Sequence, residues 1–155
     1  MRTARALIAV PVVERDMYET ILVATDGSGP ANRAVTHALE QAQQHDAELC
    51  AIHVVDTHYF PEPALSSSEL KTIAIEDWGR KQLEKVKERG EELGLAVEIE
   101  CFHGKPWQEI IKYGDKIDAD AIIVGYQGHS HTETDNIGSV ADRVVQNAGR
   151  PVLVV

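Results

Sequence analysis

Positive charge is what this sequence is short of. Fifteen lysines and arginines stand against 25 aspartates and glutamates, a formal net charge of −10. That balance disfavours nonspecific attraction to nucleic acid or to an anionic membrane. Cysteine is scarce as well. Cys50 and Cys101 are the two present, far apart and without a CxxC partner, which argues against a zinc cluster or redox pair and for buried free thiols. No apolar run approaches the roughly 18 residues of a membrane span. The N-terminal Arg2, Arg5 and ALIAVPVV superficially resemble a secretory leader, but they run through Pro11 into Glu14-Arg15-Asp16 instead of a small-residue cleavage site. At 155 residues the chain is the size of one domain that needs neither disulfide nor metal to hold a core, and a soluble, cytoplasmic protein is expected. Also missing are a GxxxxGK[ST] loop, a GxSxG elbow and an HExxH pair, so no residue set argues for fast catalysis.

What is present is organised around residues 121–140, AIIVGYQGHSHTETDNIGSV. Ala121-Ile122-Ile123-Val124 reads as a strand buried on both faces of a parallel sheet. It ends at Gly125. Gly128 follows, then nine residues, then Gly138-Ser139 opens a segment whose apolar Val140, Ala141, Val144, Val145 and Ala148 fall on one helix face. The first N–H groups of a helix have no intrahelical acceptor and carry the positive end of the macrodipole, so an anion is the natural ligand at such a point. Glycines at 125 and 128 would keep side chains from holding a phosphate or ribose away from the backbone, and such loops often need positive φ.

Gly125-x2-Gly128-x9-Gly138-Ser139, together with YETILVATDGS, HVVD, ADAIIVG and GSVADRVVQNAGRPVLVV in that order, resembles the universal stress protein family in its ATP-binding branch. The resemblance covers about Tyr18 to Val155. It implies ATP or AMP as ligand, with Mg2+ or Mn2+ as an accompanying ion, and ligand contacts from Ala24, Asp26, Val54, Val124, Gly125, Gly128, His129, Gly138, Ser139 and Val140. It implies a ligand-dependent regulator of the stress response with at most slow ATP hydrolysis, and a homodimer formed through the last strand, Val152 to Val155, that acts on a downstream protein partner. Two other readings stay open: a nucleotidyl transferase or hydrolase of the adenine-nucleotide-binding α/β group, and a dimeric module that no longer binds nucleotide. The nine-residue loop departs from the family pattern in lacking any Lys or Arg. Its His129, His131, Glu133 and Asp135 either hold a divalent metal that bridges to the phosphates or form a solvated loop whose histidines protonate near pH 6.5.

Along the rest of the chain, strands are expected at Thr20–Thr25, Glu48–Val55, Leu95–Phe102 and Pro151–Val155, besides the one at Ala121. Helices are expected after Pro30, from a capping box at Ser66-x-x-Glu69 to Gly94, from Pro106, and from Ser139. His53 reads as a core histidine, His103 and Gly104 as loop. The alternation predicts an α/β domain over residues 18–155: a single doubly wound, Rossmann-like, five-stranded parallel sheet in the order 3-2-1-4-5 with helices on both faces. That order sets strands one and four side by side, so Asp26 and the Gly125 loop share one crevice. Residues 1–17 are expected to be a poorly ordered extension.

Overall fold

The computed structural model describes residues 17–57, 65–129 and 136–155. The N-terminal extension, apart from Met17, and the loop positions His131, Glu133 and Asp135 lie outside them. Five strands, β1 (Thr20–Ala24), β2 (Glu48–Asp56), β3 (Val97–Gly104), β4 (Ala121–Val124) and β5 (Val152–Val154), alternate with four helices, α1 (Gly29–His45), α2 (Leu65–Glu92), α3 (Pro106–Lys116) and α4 (Ser139–Asn147). All strand pairs are parallel and the order is β3-β2-β1-β4-β5. The sheet is the expected one.

Successive strand residues point to opposite faces, and this divides the apolar residues into two cores. Ile21, Val23, Leu49, Ala51 and Ile123 meet Ala34, Val35, Ala38 and Leu39 of α1 and Leu83 and Val86 of α2. Leu22, Cys50, Ile52, Ile122 and Val124 meet Ile110 and Tyr113 of α3 and Ala141 and Val144 of α4. The central strands are therefore apolar along Ile21–Ala24 of β1 and throughout β4, as a sheet covered on both faces requires.

Helix ends follow local chemistry. Ser28, in extended conformation, caps α1 by accepting from the Ala31 amide at 3.3 Å, with Pro30 in the first turn. The end of α2 closes as a Schellman motif about Gly94, φ +74°: the Gly94 amide donates to the Glu91 carbonyl and the Leu95 amide to the Gly90 carbonyl. This turn carries Leu93 out to 43% exposure, although its spacing continues the apolar stripe of Leu83, Val86 and Gly90, and brings Leu95 against the core. At the other end the helix already includes Leu65, so Ser66 is a helical residue and not the cap. His103 and Gly104 belong to β3, paired with Val55 and Asp56 of β2; the longer β2 offers a ladder that the loop-like composition of His103-Gly104 does not announce. Val145 stands 49% exposed on the outer side of α4, where the sequence placed it on the buried face.

One tertiary staple holds the edge of the α3–α4 layer. The Arg150 guanidinium donates to the carbonyls of Gly114 at 2.9 Å and Ala119 at 2.5 Å and to the Asp115 carboxylate at 2.6 Å, beside the Ala119 amide that also donates to Gly114 at 2.9 Å, and so ties the end of α3 to the start of β5. Hydrogen bonds to a charged group contribute about 1.5 to 3 kcal/mol. Arg150→Ala is therefore expected to lower unfolding free energy by roughly 2 to 3 kcal/mol, read as a shifted urea midpoint with unchanged slope. Arg150→Lys, lacking the planar fork, should recover less than half of the loss.

Candidate functional site

At the C-terminal ends of β1 and β4, where the strand order reverses, two loops face each other across a cleft of about 470 Å³. They are fastened together by hydrogen bonds. Asp26 Oδ1 accepts from the Ser28 amide at 3.0 Å and Asp26 Oδ2 from the His129 amide at 2.9 Å. Ser28 Oγ donates to the Gln127 carbonyl at 3.5 Å. On the far side of the second loop, Tyr126 donates its amide to Val155 and accepts from the Gly138 amide, each at 2.7 Å. The loop after β4 is thus tied both to the β1 loop and to the chain end.

The cleft has an apolar half and a polar half. Val54, Ile52, Pro106, Ile110 and Val140 supply the apolar walls. The polar end is the start of α4, whose N-cap Gly138 lies in extended conformation, φ −64°, and offers no side-chain cap. The Asp142 amide finds the Gly138 carbonyl at 2.9 Å, which leaves the first-turn amides to a ligand or solvent. The described cleft lining contains no lysine or arginine, so fixed positive potential comes from backbone dipoles alone.

The glycines are required by the protein's own packing, and neither Gly125 nor Gly128 takes the expected positive φ. A Cβ on Gly125 would stand 2.7 Å from the Ala31 nitrogen and 2.8 Å from the Pro30 carbonyl carbon; one on Gly128 would stand 2.5 Å from Asp26 Oδ2. The positive φ in this region belongs to Gly27, at +74°.

A model of the Universal stress protein family matches residues 17–155. The chain belongs to the universal stress protein family. A universal stress protein of Methanocaldococcus jannaschii is 40% identical to it over 141 residues, spanning 90% of this chain and 83% of that one. A universal stress protein family structure from Burkholderia pseudomallei has a TM-score of 0.73 at 31% identity, covering 90% of this chain and 96% of that one. A universal stress protein crystallised in complex with cAMP has a TM-score of 0.64 at 27% identity, covering 89% and 96%.

In this universal stress protein all ten residues singled out in the sequence, Ala24, Asp26, Val54, Val124, Gly125, Gly128, His129, Gly138, Ser139 and Val140, line the one cleft. Asp26, expected as a ligand contact, joins the two loops through its carboxylate while still bordering the cleft. Pro106, expected only as a helix start, and Ile110 form the wall contributed by α3. Asp56, Tyr126 and Gln127 border the cleft as well. His53 is buried, its Nδ1–H donates to the Thr25 carbonyl at 2.9 Å, and its Nε2 has no hydrogen-bond partner.

The sequence reading also passed over Trp78. Its ring, carried by α2, occupies the space above Gly27 that a side chain there would take, and stands edge-on to His53 at 6.1 Å and to His129 at 5.6 Å. A bulky residue beside Gly79, which itself makes room for His53, is a signal only once α2 is known to cross this loop. Gly27→Ala combines a left-handed backbone cost of about 1 to 2 kcal/mol with expulsion of the Trp78 ring. The expected result is a loss of stability by at least that amount and a red-shifted Trp78 emission, measured against a Trp107→Phe background. Unchanged emission would show that the ring is not seated there.

Proposed function

We propose that this protein is an adenine-nucleotide-binding regulator of a stress response, with ATP as the favoured ligand, working as a homodimer through β5. The observation that carries this reading is the cleft itself: an apolar slot of about 470 Å³ opening directly onto the uncapped N-terminus of α4. The volume lies within the range of small-molecule sites. A flat apolar base fits between Val54, Ile110 and Pro106, and phosphates fit the amides of the α4 start. The relative in complex with cAMP supports the base and sugar part of the assignment. Mg2+ or Mn2+ enters as counter-ion of the phosphates. The described lining has no cationic side chain to stabilise charge developing in phosphoryl transfer, which supports a switch and at most slow hydrolysis.

The test is mass spectrometry of small molecules released from the purified protein, followed by equilibrium titration with ATP, AMP and cAMP with and without Mg2+ or Mn2+, and a turnover assay on ATP. Adenine nucleotide released from the protein, or saturable binding below millimolar concentration, supports the assignment. Absence of both for all three nucleotides would overturn it, and turnover at ordinary enzyme rates would move the protein to the catalytic class.

A further inference from the structure

At the opposite end of the sheet, where β2 and β3 begin, three metal-ligating side chains share one face. Cys50 and Glu98 are register partners across β2 and β3, and Glu48 precedes Cys50 by two residues, so the pleat directs all three to the α3 side. The Cys50 sulfur and one carboxylate oxygen of each glutamate lie within 4.8 Å of one another. Both glutamates are exposed and Cys50 is 3% exposed. Among the described residues no hydrogen bond or ion pair engages any of the three, and no lysine or arginine neutralises the carboxylates. From this geometry we infer that Glu48, Cys50 and Glu98 form a binding site for a thiophilic divalent cation of the zinc class, distinct from the nucleotide cleft.

The arrangement fits that ion's requirements. Ligand atoms on one tetrahedral zinc lie about 3.4 to 3.6 Å apart, from Zn–S near 2.3 Å and Zn–O near 2.1 Å, so the exposed glutamates need close by about an ångström, within reach of a small χ adjustment. Thiolate with carboxylates selects zinc over magnesium or calcium, which take oxygen alone. Three protein ligands leave a fourth position for water. On binding, the thiol gives its proton to solvent and the sulfur takes the metal. Glu48 opens the strand that ends at Asp56 beside the cleft, roughly 25 Å away at about 3.3 Å per residue, so nucleotide and metal occupy separate places.

The test uses Cd2+ as probe, because its bond to thiolate gives an ultraviolet charge-transfer band, with Zn2+ as competitor. One equivalent of Cd2+ should produce the band in the intact protein and in Cys101→Ser, and Zn2+ should remove it. Cys50→Ser should abolish the band. Should that variant fail to fold, the exposed pair Glu48→Gln and Glu98→Gln decides: affinity should fall by more than the roughly 10- to 100-fold that loss of an outer-shell partner costs, with unchanged circular dichroism. No band in the intact protein, a band that survives Cys50→Ser, or Cd2+ bound without a sulfur band would each overturn the inference, the last by showing an acidic surface alone.

Discussion

Gly128→Val is expected to lower nucleotide affinity by roughly 100-fold or more while the sheet stays folded. The added Cβ would fall 2.5 Å from Asp26 Oδ2, the oxygen that accepts the His129 amide. Either the carboxylate swings away or the loop lifts, and in both cases the two halves of the cleft separate. Hydrogen bonds to charged groups contribute about 1.5 to 3 kcal/mol each. Losing the Asp26–His129 bond together with one amide aimed at phosphate therefore accounts for two decades of affinity, at about 1.4 kcal/mol per decade. Gly29→Ala is the control, since its Cβ would meet only Arg33 Nη1 at 4.0 Å; it should bind as the parent does. Calorimetric titration with ATP, alongside a thermal melt, reads both variants. If Gly128→Val melts like the parent and binds as tightly, the loop after β4 is not the phosphate cradle.

This variant also shows where the sequence was legible and where it was not. The strands and helices follow from periodicity, because a buried parallel strand has to be apolar throughout and a covering helix has to repeat its apolar face. The strand order follows from right-handed crossovers, and the order places Asp26 beside the Gly125 loop. All of that is local pattern plus topology. The roles of individual residues are not local. Gly125 is glycine because the first turn of α1 approaches its backbone, and Asp26 serves as a clasp because the His129 amide comes from more than 100 positions away. Trp78 reaches Gly27 across about 50 residues, and Pro106 enters the cleft only because α3 packs on the same face as α4. Leu93 and Val145 fit their helix stripes by spacing yet are exposed, since a stripe says nothing of where the helix ends or where the sheet beneath it stops. The Lys- and Arg-free loop raised a question about phosphate that falls largely on positions outside the described residues. For its part, the described lining has no lysine or arginine and presents the backbone amides of the α4 start.

Removal of Val152–Val155 is expected to leave the chain unfolded or aggregated, whereas Leu153→Lys should give a folded monomer. The Pro151 carbonyl accepts from Ile122, Val155 donates to Val124, and the Val155 carbonyl accepts from Tyr126. Residues 151, 153 and 155 thus spend their peptide groups on the β4 side, and by alternation Val152 and Val154 turn theirs outward along the sheet edge. Val152 and Val154 pack on the α3–α4 core and Val155 on the α1–α2 core. Burial of an aliphatic side chain contributes about 1.5 to 3 kcal/mol when complete. Three half-buried ones, Val152, Val154 and Val155, amount to a few kcal/mol, a large part of the roughly 5 to 15 kcal/mol that holds a domain together, and their loss bares β4 as well. Leu153 is different. It is 40% exposed, so a lysine there costs the isolated subunit little, but when two β5 edges pair about a two-fold axis the substitution brings like charges together at the interface. Light scattering coupled to gel filtration should show a dimer for the intact chain and a monomer with native circular dichroism for Leu153→Lys. An intact chain that runs as a monomer at micromolar concentration would rule out the β5 dimer.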